Sequence, residues 1–472
     1  MIRELMTTTA AVLAVSATTP ALAQTVAPTA SAPQTRDKAP GDQSLSPVQD
    51  LPAPAAPARV PEGEQPFPQS DYLMGDLGGI RNSLAARGVS LSFGLVNEVA
   101  YNPAGGTSEK VAYADQLSFA VKADMGKLAG LTGGVFTLNI SDRNGKNLSD
   151  IGQLGTLQEV QEIFGRGNVA RISELSYAQD LFGGTLNVKG GRLDIGDDFI
   201  AFSCKFQNLT FCYFTPDHIA GDNFFAYPVS QWAVRAKLKL AKDVSLKVGV
   251  YDINTKLADK SGGFSFNTSR SIGSDTMTEV AWTPKLGPAG LPGTFKGGFW
   301  YSSARRSDLF LDANGLPQVV TGTSPLTHKG YFGYWLQAQQ QLTGGRDGSS
   351  RGLTAFANFV QTDHRVVAVN QVINVGLFYV GAFASRPFDE IGIAVGRSRV
   401  SDVLRHAQLL RNATFNLAAP VQRSEIPVEV YYSLNIGKAI AIRPNVQYVR
   451  HPGGTAANKD AVILGLKNVI TF

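Results

Sequence analysis

Eight residues in this sequence place a charge or an aromatic ring on the polar face of an alternating segment: Glu98, Glu174, Arg192, Asp194, Arg235, Lys237, Trp300 and Phe356. Carboxylates accept hydrogen bonds, ammonium and guanidinium groups donate them, and aromatic faces pack on apolar C–H groups. Such a set can hold a ligand through hydrogen bonds and ring packing. It does not suit bond breaking, which needs a nucleophile beside a general base. The five histidines fall in predicted turns or strand ends, and no HExxH pattern occurs. GRGNVA at 165–170 imitates a dinucleotide fingerprint but lacks the strand-to-helix context. Neither catalysis nor a cofactor is expected.

The elements that must position these residues centre on 171–214. In ELSYAQ, Leu175 and Tyr177 share one face, and Glu174, Ser176 and Ala178 the other, which is the two-residue period of a strand. Phe182-Gly183-Gly184-Thr185 signals a hairpin turn. The return strand carries Leu186 and Val188 on its apolar face, and strict alternation would aim Arg192 to that same side. The pair Gly190-Gly191 suggests a bulge that turns Arg192 and Asp194 back to the polar face, the other reading being a plain strand end. An aromatic-rich segment comes next that fits neither strand nor helix and needs a cavity to fold into. Asp197 and Asp198 are expected to cap a turn there rather than bind a cation. Cys204 and Cys212 have no second Cys or His pair at ligand spacing, so in an exported chain a disulfide is expected rather than a metal site.

Export itself is read from the first 23 residues: Arg3, the apolar run Ala10 to Val15, and Ala21-Leu22-Ala23 before Gln24. Residues 24–70 hold ten of the 24 prolines and one aromatic, Phe67, and are expected to form a disordered or extended tail. Within 75–88, Leu77, Ile80 and Leu84 fall at helical spacing between Asp76 and Gly88, predicting a short amphipathic helix braced against one mouth of the domain beyond it. Net charge is +5 from 43 basic and 38 acidic residues, too balanced for a nucleic-acid binder.

From Val89 onward, apolar and polar residues alternate between turn signals. Leu91, Phe93 and Leu95 oppose Ser92 and Gly94; Trp232, Val234, Ala236 and Leu238 oppose Arg235, Lys237 and Lys239; Ile426, Val428, Val430 and Tyr432 oppose Glu425, Glu429 and Tyr431. In TFKGGFWYS, Phe295, Phe299 and Tyr301 fall outside, so Trp300 points in with Lys296. About 400 residues of this pattern exceed one ordinary β-domain. A transmembrane antiparallel β-barrel of about 16 strands accounts for the length and for a polar interior. Trp232, outside by parity, suits an interfacial aromatic girdle. The chain ends on the alternating strand AVILGLKNVITF, in which Asn468 shares the apolar face and calls for a bulge or a subunit contact.

These stretches resemble the carbohydrate-selective porin family, the OprB type. The likeness is carried by LMGDLGGIRNSLAARGVSLSFGLVNEVAYNPAGG from Leu73; by ELSYAQ, GGRLD, DDF and FQN; by GAFASRPFDEIGIAVGRSRVS from Gly381; and by IPVEVYYSLNIGKAIAIRPNVQYVRHPGG with DAVILGLKNVITF. It spans about residues 72 to 472. The sequence departs from the family pattern at Ser176 and Ala178, where Trp and Glu are common, and at the two cysteines. The resemblance implies a 16-stranded barrel in the outer membrane of a Gram-negative bacterium, in contact with lipid, and leaves a homo-oligomer open. Its constriction would pass small sugars down their gradient. A general or anion-preferring diffusion pore is the alternative, since Arg235, Lys237, Lys239 and Lys247 would also draw negative charge, and a barrel enzyme or an adhesive barrel stands behind it.

Overall fold

Alternating segments build strands whose two faces meet different surroundings. Here they form β1 (Val89–Ala104), β2 (Val111–Asp124), β3 (Gly134–Gly145), β4 (Val169–Leu181), β5 (Leu186–Leu193), β6 (Gln231–Lys239), β7 (Val244–Asn254), β8 (Ser271–Trp282), the two-residue β9 (Lys285–Leu286), β10 (Leu291–Asp312), β11 (Pro325–Gln341), β12 (Gly352–Thr362), β13 (Val369–Val380), β14 (Glu390–Val400), β15 (Ser424–Ile436), β16 (Ile440–Arg450) and β17 (Ala461–Thr471). The computed structural model describes residues 71–165, 167–202, 204–212, 224–344 and 351–472. The expected signal segment and proline-rich tail lie outside those residues.

Every neighbour pairing is antiparallel, and β1 pairs with β2 on one edge and β17 on the other, so the sheet closes. β9 pairs only with the start of β10, while β8 pairs directly with β10, leaving a wall of sixteen strands. Closure removes both sheet edges, the condition for strands to cross a bilayer. Large apolar side chains are exposed on the outside, as at Val234, Val250 and Leu336, while polar ones such as Glu98, Asn139 and Gln447 are buried inside. Among the described residues, no helix is long and apolar enough to cross a membrane.

The polar blemish at Asn468 is resolved at the closing seam. Asn468 sits opposite Asn97, also on the outer face, and donates its amide to the Asn97 side-chain oxygen at 2.8 Å. That bond pairs the two amides across the seam, so no bulge is needed where a lone amide facing lipid would be costly.

The N-terminal helix is shorter than 75–88, running Ile80–Ala86 and stopping before Gly88 at φ 92°. No residue of it is buried, so an apolar face is not what braces it. Arg81 does, donating to the carbonyls of Gly75 (3.1 Å), Leu91 (2.7 Å) and Phe472 (2.5 Å) and tying the helix to both seam strands.

Around Gly190-Gly191 the structure corrects the sequence reading. β5 pairs with β4 and β6 in continuous register, and the irregularity lies instead on β4, between Glu174 and Ile172. Arg192 therefore keeps the parity of Leu186 and Val188, opposite Trp232. Gly191 is needed for another reason: φ is 139° and a Cβ would lie 2.2 Å from the Leu175 carbonyl oxygen.

Candidate functional site

A barrel of sixteen strands is too wide for side chains alone to fill. The described parts of two connections fold inward: loop A, 146–165 and 167–168 between β3 and β4, and loop B, 194–202, 204–212 and 224–230 between β5 and β6. Buried backbone N–H groups must find acceptors, and the wall supplies carboxylates for them. Glu425 accepts from the N–H groups of Leu157 (2.6 Å) and Gln158 (3.2 Å) of loop A. Glu429 does the same for Gln207 (2.8 Å) and Asn208 (2.7 Å) of loop B. The loops also bond each other, Glu162 N–H to the Gln207 carbonyl at 3.0 Å and Leu209 N–H to the Glu159 carbonyl at 2.9 Å.

Beside the seam, Lys467 is the hub. Its ammonium pairs with Glu162 of loop A (2.8 Å) and with Glu98 (3.3 Å), and donates to the carbonyls of Cys204 (3.2 Å) and Phe206 (2.8 Å) in loop B. All three charged side chains are essentially inaccessible to water. Burial pushes the Glu162 carboxyl above its usual range, only partly offset by Lys467 and then Arg143. Arg143 points into the lumen, donating to Gln116 at 2.7 Å and lying 5.4 Å from the Tyr227 ring centre. Cys204 and Cys212 form a disulfide with Cα atoms 4.4 Å apart. Glu162 lies close to both sulfurs, but bonded sulfurs are not thiolates and do not ligate metal.

The opposite wall, β5 to β10, carries loop B on cations. Asp198 is held by Lys189 (2.9 Å), Arg235 (2.9 Å) and the Tyr251 hydroxyl (3.1 Å), and Lys247 donates to its carbonyl at 2.5 Å. Burial alone would raise the Asp198 carboxyl, but Lys189 and Arg235 hold it well below the usual carboxylate range. Asp198 is thus an ion anchor rather than a turn cap; the cap is Asp194, which accepts from Asp197 N–H at 3.1 Å. Glu279 accepts from Ile200 N–H (3.0 Å) and pairs with Lys247 (3.1 Å), and Lys296 donates to the Ala201 carbonyl (2.7 Å).

On β14 to β16, the Lys205 ammonium of loop B pairs with Glu390 and lies 3.7 Å over the Phe378 ring. Tyr431 donates to Glu390, and Arg443 donates to Ser433 (3.0 Å) and the Lys205 carbonyl (3.3 Å). Aromatic rings back the loop. Trp300 packs edge-on to Phe224 (5.7 Å) and beside Trp335 (6.0 Å), and Phe356 contacts Phe202 (5.0 Å) and Phe206 (5.9 Å). The two tryptophans lie over glycines: a Cβ at Gly333 or Gly298 would come within 2.1 Å of Trp300 or 2.0 Å of Trp335.

The eight residues read from sequence therefore separate. Glu174, Arg235 and Lys237 share the lumen face, Lys237 opposite Asn187 and Lys247. Glu174 accepts from Ser176 (2.6 Å) and pairs with Lys189 (3.5 Å). Glu98 sits beneath loop A, Asp194 caps a turn, and Trp300 and Phe356 support loop B. Arg192 is the correction. Its guanidinium is spent on the carbonyls of Ser265 (2.8 Å), Ile172 (3.3 Å) and Ser230 (3.4 Å), fastening the β7–β8 connection rather than facing the lumen. Lys189, Glu279, Glu390, Glu429 and Lys467 were missed, and Lys247 was read only as a charge that would draw anions. Parity placed Lys189, Lys247 and Glu429 on polar faces, but nothing local marked them as loop anchors. Glu162 sits in a loop with no periodicity to read.

Comparison with known proteins closes the identification. The sequence profile of the carbohydrate-selective porin, OprB family, matches residues 108–472. Porin B of Pseudomonas aeruginosa is 36% identical over 418 residues, covering 86% of this chain and 92% of that protein. The putative porin QuiX of Acinetobacter baylyi is 31% identical over 420 residues, 85% of this chain and 93% of that one. The high-pH structure of Pseudomonas putida OprB superposes with a TM-score of 0.82 at 36% identity, covering 86% of this chain and 99% of that one. The chain belongs to the carbohydrate-selective porins of the OprB family and is a Gram-negative outer-membrane channel for passive diffusion of carbohydrates, not an enzyme.

Proposed function

We propose that selection among sugars takes place where loop B crosses the lumen, on a belt formed by Glu174, Lys189, Arg235 and Lys247 on one wall and Lys205, Glu390 and Arg443 on the other. The observation that carries this reading is a contrast in exposure. Side chains of Glu174, Lys189, Lys247 and Lys205 retain 13%, 12%, 15% and 24% of their surface, whereas Glu98 and Glu279 retain none. The belt therefore offers donors and acceptors to water, and to a sugar replacing that water. Passage needs weak holding; a millimolar site, about 4 kcal/mol, is strong enough to select and weak enough to release. Small sugars, up to short oligosaccharides, are the substrates this reading assigns. The test is block of ion current across planar bilayers: glucose should reduce conductance saturably at millimolar concentration, and a polyol-free solute of equal size should not. Equal effects of both solutes would leave a sieve and remove the belt.

One observation favours a second reading, a preference for anions. On the β5–β8 wall the carboxylates of Asp198 and Glu279 are buried while the Lys189 and Lys247 side chains keep 12% and 15% of their surface, and Lys237 and Lys239 continue the row. Reversal potentials in a salt gradient decide it: anion permeability above that of cations, lowered by Lys237→Glu, supports this reading, and cation preference rejects it. We read residues 1–23 as an export signal cut after Ala23, which N-terminal sequencing of the mature protein tests.

A further inference from the structure

The charged groups above face the lumen, but a second charged cluster faces the other way. Arg397 and Arg399 stand on the outer face of β14 at its loop end, above Ile391, Ile393 and Val395 on that same face. The connection to β15 brings two more guanidinium groups to them: Arg405, in the first turn and a half of the helix Asp402–Phe415, and Arg423, just before β15. Together they line a cleft of about 200 Å³. Arg397 donates to the Ser424 hydroxyl at 3.1 Å, fixing one wall. The single carboxylate present, Asp402, is shared between Arg399 and Arg405, the latter at 3.4 Å. Four positive charges against one negative leave the cleft at +3.

A surplus of that size on adjacent guanidinium groups is self-repelling and calls for an anion. Guanidinium forks match phosphate oxygens in pairs, which a carboxylate such as Asp402 cannot saturate for four of them. The site's height in the wall narrows the choice of anion. Below the arginines the outer faces of β14 and β15 are apolar, with Ile393, Val395 and Val430 all well exposed, so the cleft lies at the boundary between lipid and water. The long connections, including those folded into the lumen, leave from the same end of the strands, which is the external end in barrels of this kind.

We propose that this cleft binds the phosphate ester headgroup of an outer-leaflet glycolipid, whose acyl chains lie along the apolar faces of β14 and β15. Arg397 and Arg423 grip the phosphate, and Arg399 and Arg405 are oriented by Asp402.

The test uses the purified full-length protein in detergent. Retention of three probes is compared: lipid A carrying its phosphates, the same lipid with the phosphates removed, and inorganic phosphate. The phosphorylated lipid should bind about tenfold more tightly than the dephosphorylated one, and the double variant R397Q/R423Q should lose about that factor. R305Q, a control at an exposed arginine on β10, should bind as the parent does. Heat-modifiable migration on gels checks that each variant is folded. Equal binding of the two lipids, or unchanged binding by folded R397Q/R423Q, would overturn the proposal. So would displacement of the lipid by equimolar inorganic phosphate, which would make the cleft a free-anion site.

Discussion

The seam wall and the β5–β10 wall hold the same kind of residue and use it differently. At the seam, Lys467, Glu98 and Glu162 are sealed from water and form a fastening between two loops. On the far wall, Lys189 and Lys247 also fasten a loop, through Asp198 and Glu279, yet keep a surface toward the lumen. A lumen charge therefore announces neither structure nor recognition by itself. Whether loop backbone covers it decides which role it has.

The largest consequence is expected at the seam. Lys467→Met strands two carboxylates together in a dry site, and removing one partner of such a cluster costs about 3–5 kcal/mol. Thermal unfolding in detergent should show a clear loss; a change under about 1 kcal/mol would mean that the cluster is wet and the contrast between walls is false. Next comes the disulfide. Cys204→Ser with Cys212→Ser frees a short loop segment, worth about 2.5 kcal/mol by chain entropy, and should let disaccharides pass nearly as readily as monosaccharides in swelling assays. Unchanged discrimination would show that Glu429 and Lys467 hold the segment without it.

Acid sharpens the comparison, because the two loops carry carboxylates shifted in opposite directions. Asp198, held low by Lys189 and Arg235 against its burial, contributes stability that is complete above the ordinary carboxylate pKa and drains away as pH falls below about 4. Glu162, raised by burial, contributes in the opposite sense: its protonated form is favoured in the fold, so its contribution to stability is present at low pH and is lost as pH rises. Amide protection, taken relative to the intrinsic exchange rate at each pH, should therefore fall at 195–200 and rise at 158–163 on going to low pH. Both segments loosening together would contradict the assignment.

The smallest effect belongs to the outer face of the seam. Asn97→Leu leaves the Asn468 amide without its partner and should cost about 0.6–1 kcal/mol, recovered by adding Asn468→Leu. No recovery in the double variant would mean that the pair is not what tolerates these amides in lipid.

The barrel was legible because its rule is local: parity at Trp232, Val234 and Arg235 or at Val428, Glu429 and Val430 is written in adjacent residues. The same rule placed Trp300 inward, and its contacts with Phe224 and Trp335 agree. Parity was right at Arg192 as well, and the glycine pair misled there by suggesting a bulge that the structure puts on the partner strand. The loop anchors were illegible for a different reason. Glu429 and Gln207 lie 222 residues apart, and Lys467 and Glu162 lie 305 apart. Such contacts exist only after the sheet has closed, and no period or spacing in the chain announces them.

The central claim is that the open belt, not the buried clusters, discriminates sugars. Liposome swelling tests it most directly, comparing glucose with a non-sugar of equal size in the parent, in Glu174→Ala with Arg443→Ala, and in the outward-facing control Arg305→Ala. The account predicts that glucose outpaces its size-matched rival in the parent and the control and loses that lead in the belt variant, while the rival's rate stays level or rises. A lead that survives loss of both belt residues, in a folded barrel, would contradict it.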